Sequence, residues 1–191
     1  EVRTCYETGY SGFWLHRELE AAGISNIVVH AAGVEVAAND RVKTDKRDSL
    51  KLAKQLSCGQ LRGVRVPSAR GENCRTLTRT REQLMRAKRR VQVQIRMRLH
   101  QFGLFPDHIR GAITLRDVDV LLQNLEGELK CSIECLRSQW EHITEQVKVL
   151  DRQLLAQAQR DPLEDTYRSV PGIGKLGARV LSNELGDMRE F

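Results

Sequence analysis

Hydrophobic positions along this chain alternate between strand and helix periods up to Pro67 and are helical after it, which divides the chain into regions. Residues 2–6, "VRTCY", suit a short strand, followed by the turn "TGYSG". Phe13, Leu15 and Leu19 then recur at helical spacing over 13–22, and Gly23 is placed to close that helix. The β-branched run "NIVVH", 26–30, reads as a short buried strand. Beyond a loop at 33–39, Leu50, Leu52, Ala53 and Leu56 predict a second helix, and 63–66 a third strand ended by Pro67. The order β, α, β, α, β makes residues 1–67 part of an α/β domain with a partly parallel sheet.

After Pro67 the pattern becomes helical throughout. Residues 71–103 predict one long helix, broken by Pro106 and Gly111, and 115–160 a second that stops before Pro162. In the second, Leu129, Ile133, Leu136, Trp140, Ile143, Val147, Leu150 and Leu154 alternate spacings of four and three, as a coiled-coil seam does. Two long helices joined by a short break predict an antiparallel hairpin, and any exposed part of the seam would serve as a dimer contact.

Composition narrows the chemistry. The 191 residues hold 31 Lys and Arg against 25 Asp and Glu, a net charge of +6, which favours a polyanionic partner, nucleic acid before a membrane surface. The excess sits on one element. Between residues 70 and 100, ten bases face only Glu72 and Glu82, so this stretch carries +8 and the remainder −2. Arg79, Arg86, Arg89 and Arg90 on it are candidates for phosphate contact. A plainer reading pairs such a face with acids of the second helix (Glu126, Glu128, Glu134, Glu141, Glu145), but five acids cannot neutralise ten bases.

Five cysteines at irregular positions make no disulfide framework, and Cys131 and Cys135 lack the further ligands of a zinc site. A reducing, cytoplasmic setting is expected. No apolar run is long enough to span a membrane, and the start lacks a signal-peptide layout. The sequence opens at Glu1 inside the first strand and closes at Phe191 just after a motif that resembles the opening of a domain, as a piece of a longer protein would.

Two stretches carry candidate chemistry. "VKTDKRD", 42–48, sets Asp45 and Asp48 three residues apart, on one face of a helix start. First-turn aspartates commonly do no more than complement the helix dipole. Two adjacent carboxylates also repel unless a cation lies between them, and Mg²⁺ takes such hard oxygen ligands. Glu7, at the C-terminal end of the first strand, is the candidate third acid. Lys43, Lys46 and Arg47 flank the aspartates as further candidates for nucleic-acid contact. The second stretch, "SVPGIGKLGARVLSNELGD", places Gly172, Gly174 and Lys175 in a tight turn before a helix. That is the sequence form of a helix-hairpin-helix, which holds a phosphate backbone through amide groups. The alternative is a Gly-rich turn between helices.

In order, "YETGYSGFWLHRELEAAGI", "RVKTDKRDSLKLAKQL", "GQLRGVRVPS", the R-x-L-x-R-x-R-x-x-L pattern from Arg75 to Leu84, and "SVPGIGKLGARVLSNELGDMREF" resemble the DEDD transposases of the insertion-sequence-110 group, the Piv-type recombinases. The resemblance covers nearly the whole chain. It implies a RuvC-like, RNase H-type α/β domain over 1–67 that lacks its N-terminal part. A coiled-coil, dimer-forming and nucleic-acid-contacting hairpin would follow over 68–165, then the start of a helix-hairpin-helix transposase domain over 166–191. The second, third and fourth metal-binding acids map onto Glu7, Asp45 and Asp48. The first Asp would lie before Glu1 and a nucleophilic Ser beyond Phe191. The resemblance also implies Mg²⁺, DNA partners (element ends and target), a bridge RNA that pairs with donor and target, and assembly from dimers. The sequence departs from the family at "AAGVEVAAND", where a proline-containing loop is usual. Two other readings use the same features: a non-catalytic nucleic-acid-binding or assembly module, and a RuvC-like nuclease cutting by metal-activated water.

Overall fold

The computed structural model describes residues 2–9, 11–30 and 44–186. The chain forms two compact units, 1–68 and 69–191. The expected loop at 33–39, its departure from the family pattern and Lys43 lie outside the described residues.

In the first unit, β1 (Arg3–Glu7) runs parallel to β2 (Ser25–Val29), with Glu7 opposite Val29 in register. Helix α1 (Trp14–Ala21) makes the connection and packs on β2, as a parallel pair requires. Its exit is the predicted one, with the Gly23 amide bonded to the Glu20 carbonyl and the Ile24 amide to the Leu19 carbonyl. Val28 and Val29 are almost wholly buried. Asn26, also buried, is held by the Thr4 hydroxyl on its Oδ1 at 2.9 Å and by His16 Nδ1 opposite its Nδ2 at 2.9 Å. Helix α2 (Asp45–Ser57) packs against β1, where the Cys5 thiol reaches the Leu52 carbonyl.

The expected third strand is not formed. At 63–66 only Gly63 pairs, through one antiparallel bridge to Val29, and the Val64 amide donates to the Val28 carbonyl at 2.7 Å. The approach is so close that a Cβ on Gly63 would stand 2.9 Å from Cγ2 of Ile27. Pro67 soon after has no amide to extend a ladder.

The second unit is helical. Helix α3 (Ala69–Gln101) is 33 residues long, and α5 (Gly127–Ala158) is 32. Cys74 lies beside Gln157 and Arg81 beside Asp151, so the two helices run antiparallel, as predicted. The apolar positions spaced four and three apart on α5 face inward. Ile133, Trp140, Ile143, Val147 and Leu154 are buried, and all but Leu154 share one core with Val91, Ile95 and Leu99 of α3. Those inward positions serve the hairpin of a single chain.

The predicted helix over 115–160 is two helices. Helix α4 (Leu115–Leu122) opens with a capping box between Thr114 and Asp117. Residues 123–126 then turn the chain, with Leu125 buried, before α5 begins at Gly127 with φ of 61°. After α5, the short α6 (Glu164–Arg168) leads through a turn to α7 (Lys175–Leu185), and both pack together.

Gly63→Ala forces β2 or the passing segment to shift. It is expected to destabilise the first unit by about 1–3 kcal/mol, read as faster hydrogen exchange at the Val28 and Val29 amides. Unchanged exchange would show that the segment is not pinned there.

Candidate functional site

The carboxylates of the first unit occupy two elements. Thr44 has extended backbone (φ −141°, ψ 145°) and its hydroxyl accepts from the Arg47 amide at 3.4 Å, so α2 starts where its cap dictates. Asp45 and Asp48 therefore both fall in the first turn, Asp45 exposed and Asp48 half-buried. Neither has an ion-pair partner recorded among the described residues. Leu52 and Leu56 on the following turns are half-buried. Lys46 and Arg47 are exposed beside the aspartates. Glu7 is half-buried at the C-terminal end of β1. Among the described residues no group of three or more His, Cys, Asp or Glu is gathered closely enough to hold a metal ion, so Glu7 does not close a three-acid cluster with the aspartates.

In the second unit the basic face of α3 divides into committed and uncommitted groups. Arg75 donates to the carbonyls of Asn183 (3.1 Å) and Glu184 (2.7 Å), satisfying acceptors in the last turn of α7. Arg79 forks onto both carboxylate oxygens of Glu184 at 2.9 and 2.7 Å. Arg81 pairs with Asp151. Arg86 pairs with Glu82 one turn away, but both are largely exposed, and such a surface pair holds the guanidinium only weakly. Arg89 and Arg90 are exposed, with no ion pair recorded among the described residues. Among the described residues, the acids of other elements in recorded ion pairs with α3 are Asp151 and Glu184. Of the acids expected to pair with it, Glu141 pairs with Arg137 and Glu145 with Lys148, both within α5.

At 171–174 the chain makes the turn read from its sequence. The Ile173 amide bonds to the Val170 carbonyl at 3.1 Å, and Gly172 has φ of 88°, which disfavours any residue with a Cβ. Gly174 is the N-cap of α7 in extended geometry and supplies no side-chain cap. A Cβ on Gly172 or Gly174 would meet no atom within 4 Å, so the turn is open to an approaching group. Lys175 is exposed in the first turn of α7. Uncapped amides at a helix start, an open approach and one ammonium suit an anion such as a backbone phosphate.

The elements before and after the turn share a buried cluster that the sequence pattern does not reveal. Arg179 is 3% exposed and Glu164 6%. The Arg179 guanidinium pairs with Asp161 and lies 3.5 Å from a Glu164 oxygen, while the Ser182 hydroxyl donates to Asp161. Burial works against the Asp161 carboxylate, yet Ser182 and Arg179 together hold its pKa below its ordinary value. Hydrogen bonding from Arg79 does the same for Glu184. A polar residue between Ala178 and Val180 was the only sign in the sequence.

A transposase family model of the DEDD, insertion-sequence-110 type matches residues 3–104. The transposase for insertion sequence element IS1533 of Leptospira borgpetersenii is 27% identical over 201 aligned residues, covering 99% of this chain and 56% of that protein. A Sinorhizobium fredii protein named as a transposase is 38% identical over 94 residues, 49% of this chain and 24% of its own. A Pseudomonas aeruginosa protein named as a family 20 transposase is 24% identical over 153 residues, 78% and 45% respectively. The chain thus spans from about a quarter to rather more than half of these relatives. No solved structure matches it.

Both carboxylates have lowered pKa values in the folded chain, so their stabilising contribution is present above the ordinary carboxylate range and is lost as pH falls through the folded values. Thermal unfolding of the second unit should move to lower temperature on acidification below about pH 4. Asp161→Asn should be less stable at neutral pH and lose less on acidification. An acid limb of equal size in that variant would contradict the assignment.

Proposed function

The chain belongs to the DEDD transposase family of the insertion-sequence-110 type, and on that premise we propose that it is part of a DNA transposase performing metal-dependent strand cleavage and exchange. The observation that carries the reading is the pair of carboxylates, Asp45 and Asp48, side by side at a helix start in a chain of this family.

Hard oxygen donors not committed to a described cation suit a divalent ion such as Mg²⁺, which Asp45 and Asp48 would hold. Glu7 is not gathered with them among the described residues and would serve as a third ligand only by approaching from the end of β1. When bound, such an ion would stabilise charge on a DNA phosphate. The chain's own part is to fix the donors. The Thr44 cap sets the direction of the first turn of α2, and β1 ends at Glu7. On this reading the first unit is the RuvC-like domain. The helical hairpin is the module for assembly into homo-oligomers, through a face other than the α5 seam that its own α3 covers, and 166–191 opens the transposase domain. Guidance by a bridge RNA comes from the family resemblance, and the grip on shape rather than sequence suits a basic face that offers charge to phosphates.

That grip is assigned to the exposed Arg89 and Arg90, to the weakly paired Arg86, and to Lys175 with the Gly172–Gly174 turn. Arg79 is held by Glu184 and contributes by fastening α7. Within the first unit, Lys46 and Arg47 place exposed positive charge next to the aspartates.

A second reading, a nucleic-acid-binding module without chemistry, is favoured by one observation: the described acids do not form a cluster of three. One substitution separates the two. In a metal-site protein, Mg²⁺ strengthens DNA binding by this chain and Asp45→Ala removes that dependence while circular dichroism is unchanged. Mg²⁺-dependent binding that persists in Asp45→Ala would remove Asp45 from the ligand set, and indifference of the parent chain to Mg²⁺ would favour the binding module.

A further inference from the structure

We infer that Arg179 is the positioning residue of the 171–174 turn: its buried guanidinium ties the chain on both sides of the turn, so that the α7 amides and Lys175 are presented in one geometry. The inference rests on reading that turn as a phosphate grip.

The turn has little to fix itself. Its recorded internal bond is the single one from the Ile173 amide to the Val170 carbonyl, and its two glycines bring no side chains. Its position must come from its flanks. Asp161 follows the end of α5, where its amide bonds to the Ala158 carbonyl at 3.3 Å, and its carboxylate accepts from the Leu163 amide at 3.0 Å. Glu164 opens α6. Arg179 and Ser182 belong to α7. One guanidinium therefore links the exit of α5, the start of α6 and the body of α7, and it does so one helical turn after Lys175. Tyr167 adds a second tie, its hydroxyl donating to the Gly186 carbonyl at 2.6 Å.

Stability alone does not account for this arrangement. Buried charges are costly to desolvate, and well-packed apolar residues commonly serve a core as well or better. The cluster is also incompletely satisfied among the described residues: Nε and Nη1 of Arg179 and one Glu164 oxygen have no hydrogen-bond partner there, although Nη1 and that oxygen face each other at 3.5 Å. What an ion pair of fixed direction supplies is registry between the elements it joins. Here it joins α7, which follows the turn, to α6 and the exit of α5, which precede it.

The test is a double-mutant cycle in the 191-residue chain, reading affinity for a short DNA duplex by fluorescence anisotropy. Arg179→Met is combined with Lys175→Ala. A triple variant, Asp161→Asn with Glu164→Gln and Arg179→Met, removes every buried charge and guards against misfolding. Lys175→Ala should weaken binding. Arg179→Met and the triple variant should each weaken it about three- to tenfold, with most of that loss vanishing once Lys175 is already Ala. If the triple variant is folded and binds like the parent, or if the two losses simply multiply, Arg179 does not act through the turn. An unchanged affinity in Lys175→Ala removes the phosphate-grip reading and this inference with it.

Discussion

The apolar contact between α3 and α5 is the constraint on which the second unit depends. A helix carrying ten bases repels itself, and its own propensity does not hold 33 residues straight in water. Val91, Ile95 and Leu99 give it a buried stripe, and Ile133, Trp140, Ile143 and Val147 of α5 cover that stripe. Each fully buried Ile or Leu contributes about 1.5–3 kcal/mol, enough in sum to hold a charged surface rigid. The outward positions are then free to be basic, which is how a stable hairpin comes to carry an arginine face.

That face does two jobs. Toward its N-terminal end, Arg75 and Arg79 are turned to the C-terminal end of α7, and the Asn183 amide group donates to the Cys74 carbonyl at 3.2 Å. Further along, Arg89 and Arg90 remain exposed. The same helix thus anchors the element that bears the turn and offers charge of its own. Midway along α7, Arg179 fastens the helix a second time. On the phosphate-grip reading, a turn whose helix is tied at its C-terminal end and along its body does not need to order itself on binding, and preorganisation of that kind favours affinity.

Much of this was legible in the sequence, for identifiable reasons. The spacing on α5 marked its inward face because helix packing repeats over several turns and averages out local noise. The Gly23 exit and the PGIG turn were legible because each depends on adjacent residues. The supposed strand at 63–66 misled because alternating Val and Arg imitate a strand, while Gly63 alone makes a close paired contact and no ladder follows it. The break at 123–126 was hidden by Leu125, an apolar residue that keeps the pattern running through a turn. Spacing placed Asp45 and Asp48 together, but the relation of Glu7 to them depends on tertiary structure that spacing does not encode. Arg179 was missed for the same reason: a buried arginine is recognisable only once Asp161 and Glu164 are seen beside it.

The central claim is that charge left exposed by this packing, rather than the basic composition as a whole, holds nucleic acid. The direct measurement is the salt dependence of duplex DNA affinity for the parent chain and for a variant with Arg89, Arg90 and Lys175 all replaced by Ala. Each lost phosphate contact lowers the slope of log affinity against log salt by about 0.9. The account expects a slope flatter by about two to three units in the variant. An unchanged slope would contradict it, and would mean that these three side chains are solvated surface.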